Sequence, residues 1–583
     1  MGPLLEYILF GVLTSANLAL GLYFSFAKRS KKAGTDEMFL ASRSLGSFPL
    51  AMSVLASMMS ALGVVGFVAH YYYYGFYFNW AFLSQIVVLP MVMNVMVPLL
   101  YRQRVTSIFE YVRMRFGRNI GLVSCGLYIL MSQSLGAVAL YSASVAVSTI
   151  FTVRLLFSTL TIGLAGTIYT ALGGLRGVVW TDCMQGILIL MAPVTVITKV
   201  IYDSANNKKV LPPVTDVPFG RYMLDASATI TNDENVWACI FGLSITFLYR
   251  QGVDQMVVQR YFAAKTLKDA QKIAWMAIAL NIFYTFCMSG MAFALVYWFS
   301  DCDPLHSGSI TRFDELLPYY VKEYLSDFPG FSGLFLTGVV CAATSTTSSI
   351  INSEAAVFYV DVISPAVKMS DRKASLVVKL LAFSFGTFMT VYGVIVPYLG
   401  SAVRVLIMFY SSVASPFVAI VLLGFVFPCV GRKGAATAIL FATGIQFWQT
   451  AGKFYYNVKP PWMPVSIDGC VSNVTNATTQ FIGSNEFVGI PYFYQVSAYW
   501  SGFISVLFMI LVGVSVSLIT GEAKLYKRNL SLTGEAFLKL WIKLKLVTPP
   551  SDADFFQQHS SRLVGATNAA IGIEETEHAC TRF

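Results

Sequence analysis

Long apolar runs alternate with short polar connections over most of the chain. A run of about 18 or more apolar residues predicts a transmembrane helix, because about 20 helical residues cross the hydrocarbon core of a bilayer. Such runs occur near 5–27, 50–70, 80–101, 121–150, 155–173, 178–200, 236–255, 273–299, 332–360, 376–398, 403–428, 434–450 and 496–520. The pattern therefore predicts an all-α polytopic membrane protein with about 13 transmembrane helices.

One of these runs contains a polar stretch, VVCAATSTTSSIINSE at 339–354. Its hydroxyl side chains need partners, because unsatisfied polar groups cost several kcal/mol in hydrocarbon. On a helix, Ala342, Ser345 and Thr346 have the spacing i, i+3 and i+4, so two hydroxyls and a freed carbonyl would converge. The stretch is either a site for a small cation or a set of hydroxyls that bond between packed helices. Glu354, inside the same span, either lines an inner vestibule or pairs with a basic loop.

Composition and charge exclude the soluble classes of protein. Hydrophobic residues make up 56% of the chain and charged residues 12%, and the formal net charge of +10 lies in short loops. This distribution argues against nucleic acid as a partner. With the N-terminus outside, one set of loops carries most of the Lys and Arg residues, and we count Arg250 and Arg260 among them. The positive-inside rule then places these loops and the C-terminal tail in the cytoplasm.

The loop at 451–495 has the features of an outer face. It contains two overlapping sequons, at Asn473 and Asn476, and N-glycosylation takes place only on the non-cytoplasmic side. Cys302 and Cys470 share this face, and a disulfide between them is one interpretation. The nine cysteines include no C-x-x-C pair, so no metal other than sodium is predicted.

Several separated strings resemble one family. They are ASRSLGSFP (41–49), LASMMSALGVVG (55–66), TSIFEYVRMRFG (106–117), YTALGGLRGVVWTDCMQG (169–186), QMVVQRYFAAKT (255–266), CDPL (302–305) and the hydroxyl-rich stretch. Together they resemble the sodium/solute symporters, and within them the branch of the iodide, monocarboxylate and multivitamin transporters. The resemblance covers residues 40–450 almost continuously.

The resemblance implies a leucine-transporter-like fold, an inverted repeat of five plus five helices with broken helices near the midplane. Gly63 and Gly66 are the predicted place of the first break. The expected organisation is a first helix and basic loop (1–45), the first repeat (46–200), an extracellular loop (201–235), the second repeat (236–430), two last helices with the glycosylated loop (431–520) and a cytoplasmic tail (521–583).

The resemblance also implies the sites. The family's common sodium site falls on the backbone oxygens of Ser60, Gly63 and Ala342 and on the hydroxyls of Ser345 and Thr346. A second sodium, present in some relatives, would use Asp182, Ser348 and Ser349. Asp182 has an alternative role as an ordinary helix N-cap. The substrate cavity of relatives falls on Gly63, Phe67, Trp80, Ala81, Leu135, Arg404 and Ile407.

These residues predict a sodium-coupled symporter that imports a small organic anion, a monocarboxylate or a vitamin such as biotin or pantothenate, across the plasma membrane. Arg404 is either the partner of the anion's carboxylate or a side chain that snorkels to outer water. A symporter for iodide, sugar or another neutral solute, a sodium channel and a non-transporting sensor are the alternatives. We expect no enzyme and no cofactor beyond sodium as co-substrate. The ending Thr581-Arg582-Phe583 is either a PDZ ligand or a chance match.

Overall fold

The computed structural model describes residues 2–27, 39–206, 223–399, 406, 410–456, 458, 462, 463, 465, 466, 469, 470 and 489–548. Within these residues every regular element is a helix. The longer helices are α1 (Gly2–Ala27), α2 (Ser47–Met58), α3 (Leu62–Tyr74), α4 (Tyr77–Arg102), α5 (Ile108–Phe116), α6 (Arg118–Phe151), α7 (Leu155–Ile189), α8 (Met191–Ala205), α9 (Gln255–Phe262), α10 (Leu267–Trp298), α11 (Leu316–Tyr324), α12 (Phe331–Val357), α13 (Asp371–Ile395), α14 (Ser415–Val426), α15 (Arg432–Tyr455), α16 (Ala498–Ile519) and α17 (Glu535–Lys543).

The apolar pattern is borne out as an all-α membrane fold. Eight helical segments of the described residues are long and apolar enough to span a bilayer, or nine if the bent pair α2 and α3 forms one span. The count of thirteen stays a prediction, because some of the predicted runs form shorter helices. The run at 236–255, for example, divides into Ala238–Gly242, Ser244–Leu248 and Tyr249–Val253.

The hydroxyl-rich helix α12 lies at the centre of the bundle. It packs against α1, α6, α7 and α13, and 89% of the residues in its most apolar 18-residue segment are buried inside the protein. The same share is 17% for α1 and 33% for α13, which contact the core along one side. A helix that carries polar groups through a bilayer needs protein on all sides, and the packing provides it.

The predicted span at 50–70 is broken, as expected, but the break does not lie at Gly63 and Gly66. Helices α2 and α3 meet at an angle of 59°. Met59 has extended backbone angles (φ −90°, ψ 101°), and the described chain is non-helical at Met59 and Ser60. Gly63 and Gly66 lie inside the wide first turns of α3, at Leu62–Gly66. The freed carbonyls are therefore those that precede the glycines.

Helix α7 contains a second interruption, at Gly174. Its angles (φ 60°, ψ −173°) lie in a region that is essentially restricted to glycine. This position separates the two predicted runs at 155–173 and 178–200, so α7 is kinked between them, and the second run continues into α8. The neighbouring Gly173 has no positive φ.

We expect Gly174→Ala to lower the free energy of unfolding by about 1–3 kcal/mol, because a Cβ is strained at these angles. The measurement is the thermal unfolding midpoint of the purified protein in detergent. Gly173→Ala is the matched control and is expected to leave the midpoint within a degree or two of the wild type, since alanine suits a helix. Equal midpoints for the two variants would contradict the strain argument.

Two arginines that we assigned to cytoplasmic loops are inside the protein. Arg250 is 9% exposed and Arg260 is fully buried. Each is neutralised by an aspartate, Arg250 by Asp254 and Arg260 by Asp182, which makes burial within a membrane protein tolerable. The assignment to the inner loops was wrong for these two residues.

Candidate functional site

The hydroxyls of α12 point at the break between α2 and α3. The Ser345 Oγ donates a hydrogen bond to the Ala56 carbonyl at 2.7 Å. The Thr346 Oγ1 lies 3.4 Å from the Met59 carbonyl and 3.5 Å from that of Ser57. Both side chains are fully buried. The structure thus brings the hydroxyl-rich stretch and the first broken helix together.

The carbonyls that face these hydroxyls differ from the predicted ones. The Ser60 carbonyl accepts from the Gly63 amide at 2.8 Å and the Val64 amide at 3.3 Å, so it is used within α3. Ala56 and Met59, one turn earlier, are the residues whose carbonyls meet α12. The physical reason is that the chain leaves helical geometry at Met59, which frees the carbonyls at the end of α2.

Neutral oxygens form two neighbouring groups here. The Ser345 Oγ lies near the carbonyls of Ala56 and, at 3.3 Å, Ala342, and the Thr346 Oγ1 lies near the carbonyls of Ser57 and Met59. Hard oxygen donors without a carboxylate suit a monovalent cation that must bind and then leave. No cluster of His, Cys, Asp and Glu that would hold another metal occurs in the part of the chain that the structure describes.

Asp182 is not a helix N-cap, because it lies well inside α7 and its carboxylate bonds to side chains. Its Oδ2 accepts from the Ser53 Oγ at 2.6 Å and from the Arg260 Nη2 at 3.0 Å. The same Nη2 donates to the Ser349 Oγ at 2.6 Å. A guanidinium therefore lies between two of the residues predicted for a second sodium, while Ser348 bonds to the Ser345 carbonyl.

A cavity of about 180 Å³ adjoins the break. Of the predicted substrate residues, Gly63, Phe67 and Leu135 line it. Trp80 and Ala81 do not: the Trp80 Nε1 donates to the Met223 carbonyl, and Ala81 belongs to a small separate apolar cluster. Arg404 and Ile407 lie outside the described residues, as do the sequons at Asn473 and Asn476.

Arg250 forms part of the cavity wall and was missed as a site residue. Its Nη1 donates to the Asp254 Oδ2 at 2.6 Å, and its Nη2 to the Met58 carbonyl at 3.2 Å. The spacing i, i+4 of an Arg and an Asp inside an apolar run was the available signal, since such a pair can neutralise itself in a membrane.

The wall also presents polar atoms without partners. The hydroxyls of Tyr71, Tyr284 and Tyr499 and the Asn281 Oδ1 are buried and accept or donate no hydrogen bond among the described residues. A buried polar group without a partner costs about 1–3 kcal/mol, which a polar solute or water in the cavity would offset. The cavity thus combines apolar side chains, one cation and several free hydrogen-bonding groups, as ligand sites commonly do.

The structure joins Cys302 to Cys470 in a disulfide with Cα atoms 5.0 Å apart. Nearby, the Asp303 carboxylate accepts from the Tyr72 hydroxyl at 3.0 Å and from the His306 amide at 2.8 Å. This arrangement fixes the loop that follows α10 against the end of α3. Disulfides form in oxidising compartments, which supports an outer location for this face.

Broken helices, facing hydroxyl and carbonyl oxygens and an adjacent polar cavity are features of a secondary transporter of the leucine-transporter-like class. The fold agrees with a solved Na⁺-coupled sialic acid symporter, at a TM-score of 0.72 and 18% sequence identity over 88% of this chain and 98% of that chain. The sequence model described as "Sodium:solute symporter family" matches residues 38–442, and the chain belongs to this family.

Several animal transporters have similar sequences. The chain is 29% identical to the human protein named sodium-coupled monocarboxylate transporter 2, over 89% of this chain and 84% of that protein. It is 28% identical to a putative sodium-dependent multivitamin transporter of Drosophila melanogaster, over 98% of this chain and 96% of that protein. The family recognised from the sequence strings is confirmed, and sodium is its co-substrate.

Thr346→Val is expected to raise the sodium concentration that gives half-maximal uptake about tenfold, which corresponds to about 1.4 kcal/mol. The change keeps the side-chain shape and removes one of the two hydroxyls that face the break. Thr347→Val is the matched control, because the Thr347 Oγ1 donates only to the Ala343 carbonyl of its own helix. Equal sodium dependence of the two variants would contradict a sodium site at Thr346.

Proposed function

We propose that this protein is a sodium-coupled symporter that imports a small organic anion across the plasma membrane. The observation that carries the proposal is the Arg250 guanidinium in the wall of the cavity beside the break. Asp254 pairs with the Nη1 of this guanidinium, and the N–H groups that remain would donate charge-assisted hydrogen bonds to the carboxylate of a solute. The names of the monocarboxylate and multivitamin relatives support the same class of solute.

Sodium would bind between the hydroxyls of Ser345 and Thr346 and the carbonyls of the break that face them. There it would hold α2 and α3 against α12. This contact is the physical link between ion and solute, since the cavity and the sodium site share the broken segment at Met59 and Ser60. Sodium then stabilises the form that binds the solute from outside, and both leave inward after the two repeats move relative to each other. The repeat boundaries at 46–200 and 236–430 are part of this proposal.

The number of sodium ions determines the energetics. A tenfold sodium gradient supplies about 1.4 kcal/mol per ion, and a potential of about 100 mV adds about 2.3 kcal/mol per net charge moved. Arg260 neutralises Asp182, so a second sodium beside Ser348 and Ser349 would meet little net negative charge. The geometry therefore favours one sodium at the common site.

The orientation follows from the charges and the outer loop. An outside N-terminus, an inside C-terminus and glycosylation at Asn473 and Asn476 agree with one another and with the outer location of the disulfide. A PDZ protein at the C-terminus is a further proposed partner and falls on residues outside the described part of the chain.

The test is radiolabelled uptake together with substrate-induced current in cells that express the protein. Short monocarboxylates, biotin, pantothenate, iodide and glucose are supplied in turn, with sodium or with choline. Sodium-dependent uptake of one of the organic anions supports the proposal. Uptake of only iodide or glucose would overturn the organic anion, and an absence of all sodium-dependent uptake would favour a sensor with the same fold.

A further inference from the structure

Glu354 is a fully buried carboxyl group that the sodium and solute sites do not use. It lies on α12 eight residues after Thr346, about 12 Å further along the helix at 1.5 Å per residue. Its Oε1 lies 2.5 Å from the Ser132 Oγ, and its Oε2 accepts from the Gln133 Nε2 at 2.5 Å. Both partners are neutral and belong to α6. Glu354 forms no ion pair with any of the described residues.

The hydrogen atoms at Ser132 can be counted. The Ser132 Oγ has one hydrogen, and it lies 2.7 Å from the Tyr128 carbonyl one turn earlier in α6. A carbonyl has no hydrogen to give, so the serine hydrogen is used in that bond. The 2.5 Å contact between the Ser132 Oγ and the Glu354 Oε1 then needs a hydrogen from the glutamate. The contacts are satisfied when Glu354 is a carboxylic acid.

The charged groups around Glu354 do not offer a cation instead. On the elements that pack against α12, the nearby acidic and basic groups form ion pairs with each other, and none of the described ones pairs with Glu354. The ion pairs are Arg250–Asp254, Arg260–Asp182 and Arg113–Asp361. The Tyr128 hydroxyl contacts Ser353 and Asp254. Lys379 lies on α13, six residues before Phe385, whose carbonyl accepts from Gln133. An isolated carboxylate at this depth would cost far more than binding a proton.

We propose that Glu354 is a proton-binding site, protonated in the packing of α6 against α12 described above, that exchanges its proton with the cytoplasm when water reaches it from the inner side. The O–H bond of the carboxyl breaks, and the proton goes to that water. The carboxylate then has to bind a proton again before this water can be excluded. Return of the empty transporter is therefore slowed when the cytoplasm is alkaline.

The first test measures the proton directly and does not depend on transport. The infrared spectrum of the purified wild-type protein is expected to contain a carboxylic-acid C=O band that Glu354→Gln removes. Glu6→Gln is the matched control: Glu6 is also buried, but each of its oxygens accepts from a backbone amide, of Gly330 or of Gly333, so neither contact needs a hydrogen on the carboxyl group. Loss of the band in Glu6→Gln alone, or identical spectra for wild type and Glu354→Gln, would overturn the proton site.

The second test rests on the proposed transport function. Uptake into vesicles that contain the protein is measured while the pH on the cytoplasmic side is raised from about 6 to about 8. Wild-type uptake is expected to fall, by up to about tenfold per pH unit once the carboxylate predominates. Glu354→Gln cannot lose a proton and should give uptake that does not change with pH, whereas Glu6→Gln should follow the wild type.

The possible failures are distinguishable. The same pH dependence in wild type and Glu354→Gln would overturn proton exchange at this residue while leaving the symporter intact. Absence of sodium-dependent uptake in every variant would overturn the proposed function, and the infrared measurement would still decide whether Glu354 holds a proton.

Discussion

Arg260→Gln is expected to lower the free energy of unfolding by about 3–5 kcal/mol, because it leaves the carboxylate of Asp182 buried and without its charge partner. Both side chains are fully buried, and the guanidinium contacts Ser53, Asp182 and Ser349 on three different helices. A loss of this size is a large fraction of the about 5–15 kcal/mol by which native proteins are stable. We expect little folded Arg260→Gln protein at the cell surface and a strongly lowered unfolding temperature in detergent.

Adding a second substitution, Asp182→Asn, separates the effect of charge neutralisation from that of hydrogen-bonding geometry. In Arg260→Gln combined with Asp182→Asn, no charge is left unpaired, and we expect part of the folded yield to return. Arg102→Gln is the matched control for an ion pair at the surface, since Arg102 and its partner Glu535 are 58% and 56% exposed and water can solvate the carboxylate that remains. Its effect should be much smaller. If the double variant is no better than either single one, the pair stabilises through its hydrogen-bonding geometry and not through charge neutralisation.

The large-scale organisation of this chain could be read from its sequence because hydrocarbon imposes simple rules. The apolar runs had to be helices, and the polar stretch in α12 had to be surrounded by protein. Ser345 and Thr346 were found because helical spacing fixes which side chains share a face. None of these inferences needs to know which helices are neighbours.

The carbonyls of the break could not be assigned in the same way. Whether Ala56 and Met59 or Ser60 and Gly63 present free oxygens depends on the one residue at which the backbone leaves the helix. Met59 has no intrinsic preference for that role, and the glycines that attracted attention are inside α3. The position of the break is set by packing against α12, which is a tertiary interaction.

The buried arginines show a related limit. The positive-inside rule treats every Lys and Arg near the end of an apolar run as a loop residue. Arg260 is an exception because Asp182 neutralises it inside the protein, and the sequence does not reveal this pair because the two residues are 78 positions apart. Arg250 and Asp254 are close in sequence and could have been recognised as a pair, although the cavity that Arg250 faces is formed by distant helices.

Arg250→Gln is expected to raise the concentration of organic anion that gives half-maximal uptake by about ten- to a hundredfold. Hydrogen bonds to a charged group contribute about 1.5–3 kcal/mol, and glutamine removes the charge and leaves only the two N–H donors of its amide. Uptake of a neutral solute, if any is transported, should change little. The measurement is the dependence of uptake on anion concentration at saturating sodium, with surface expression determined for each variant.

Asp254→Asn makes the argument sharper because it acts on Arg250 from the other side. It removes the carboxylate that accepts from the Arg250 Nη1 at 2.6 Å, so that the positive charge of the guanidinium is no longer neutralised within the protein. If Arg250 binds the anion, Asp254→Asn should bind it as well as or better than the wild type, whereas Arg250→Gln binds it worse. Both single variants are expected to yield less folded protein, because each leaves one member of a buried ion pair alone. If Arg250 only neutralises Asp254, neither variant should change the anion affinity of the folded protein that remains. The opposite responses of the two variants would therefore identify Arg250 as a specificity residue, and parallel responses would remove the main support for an anionic solute.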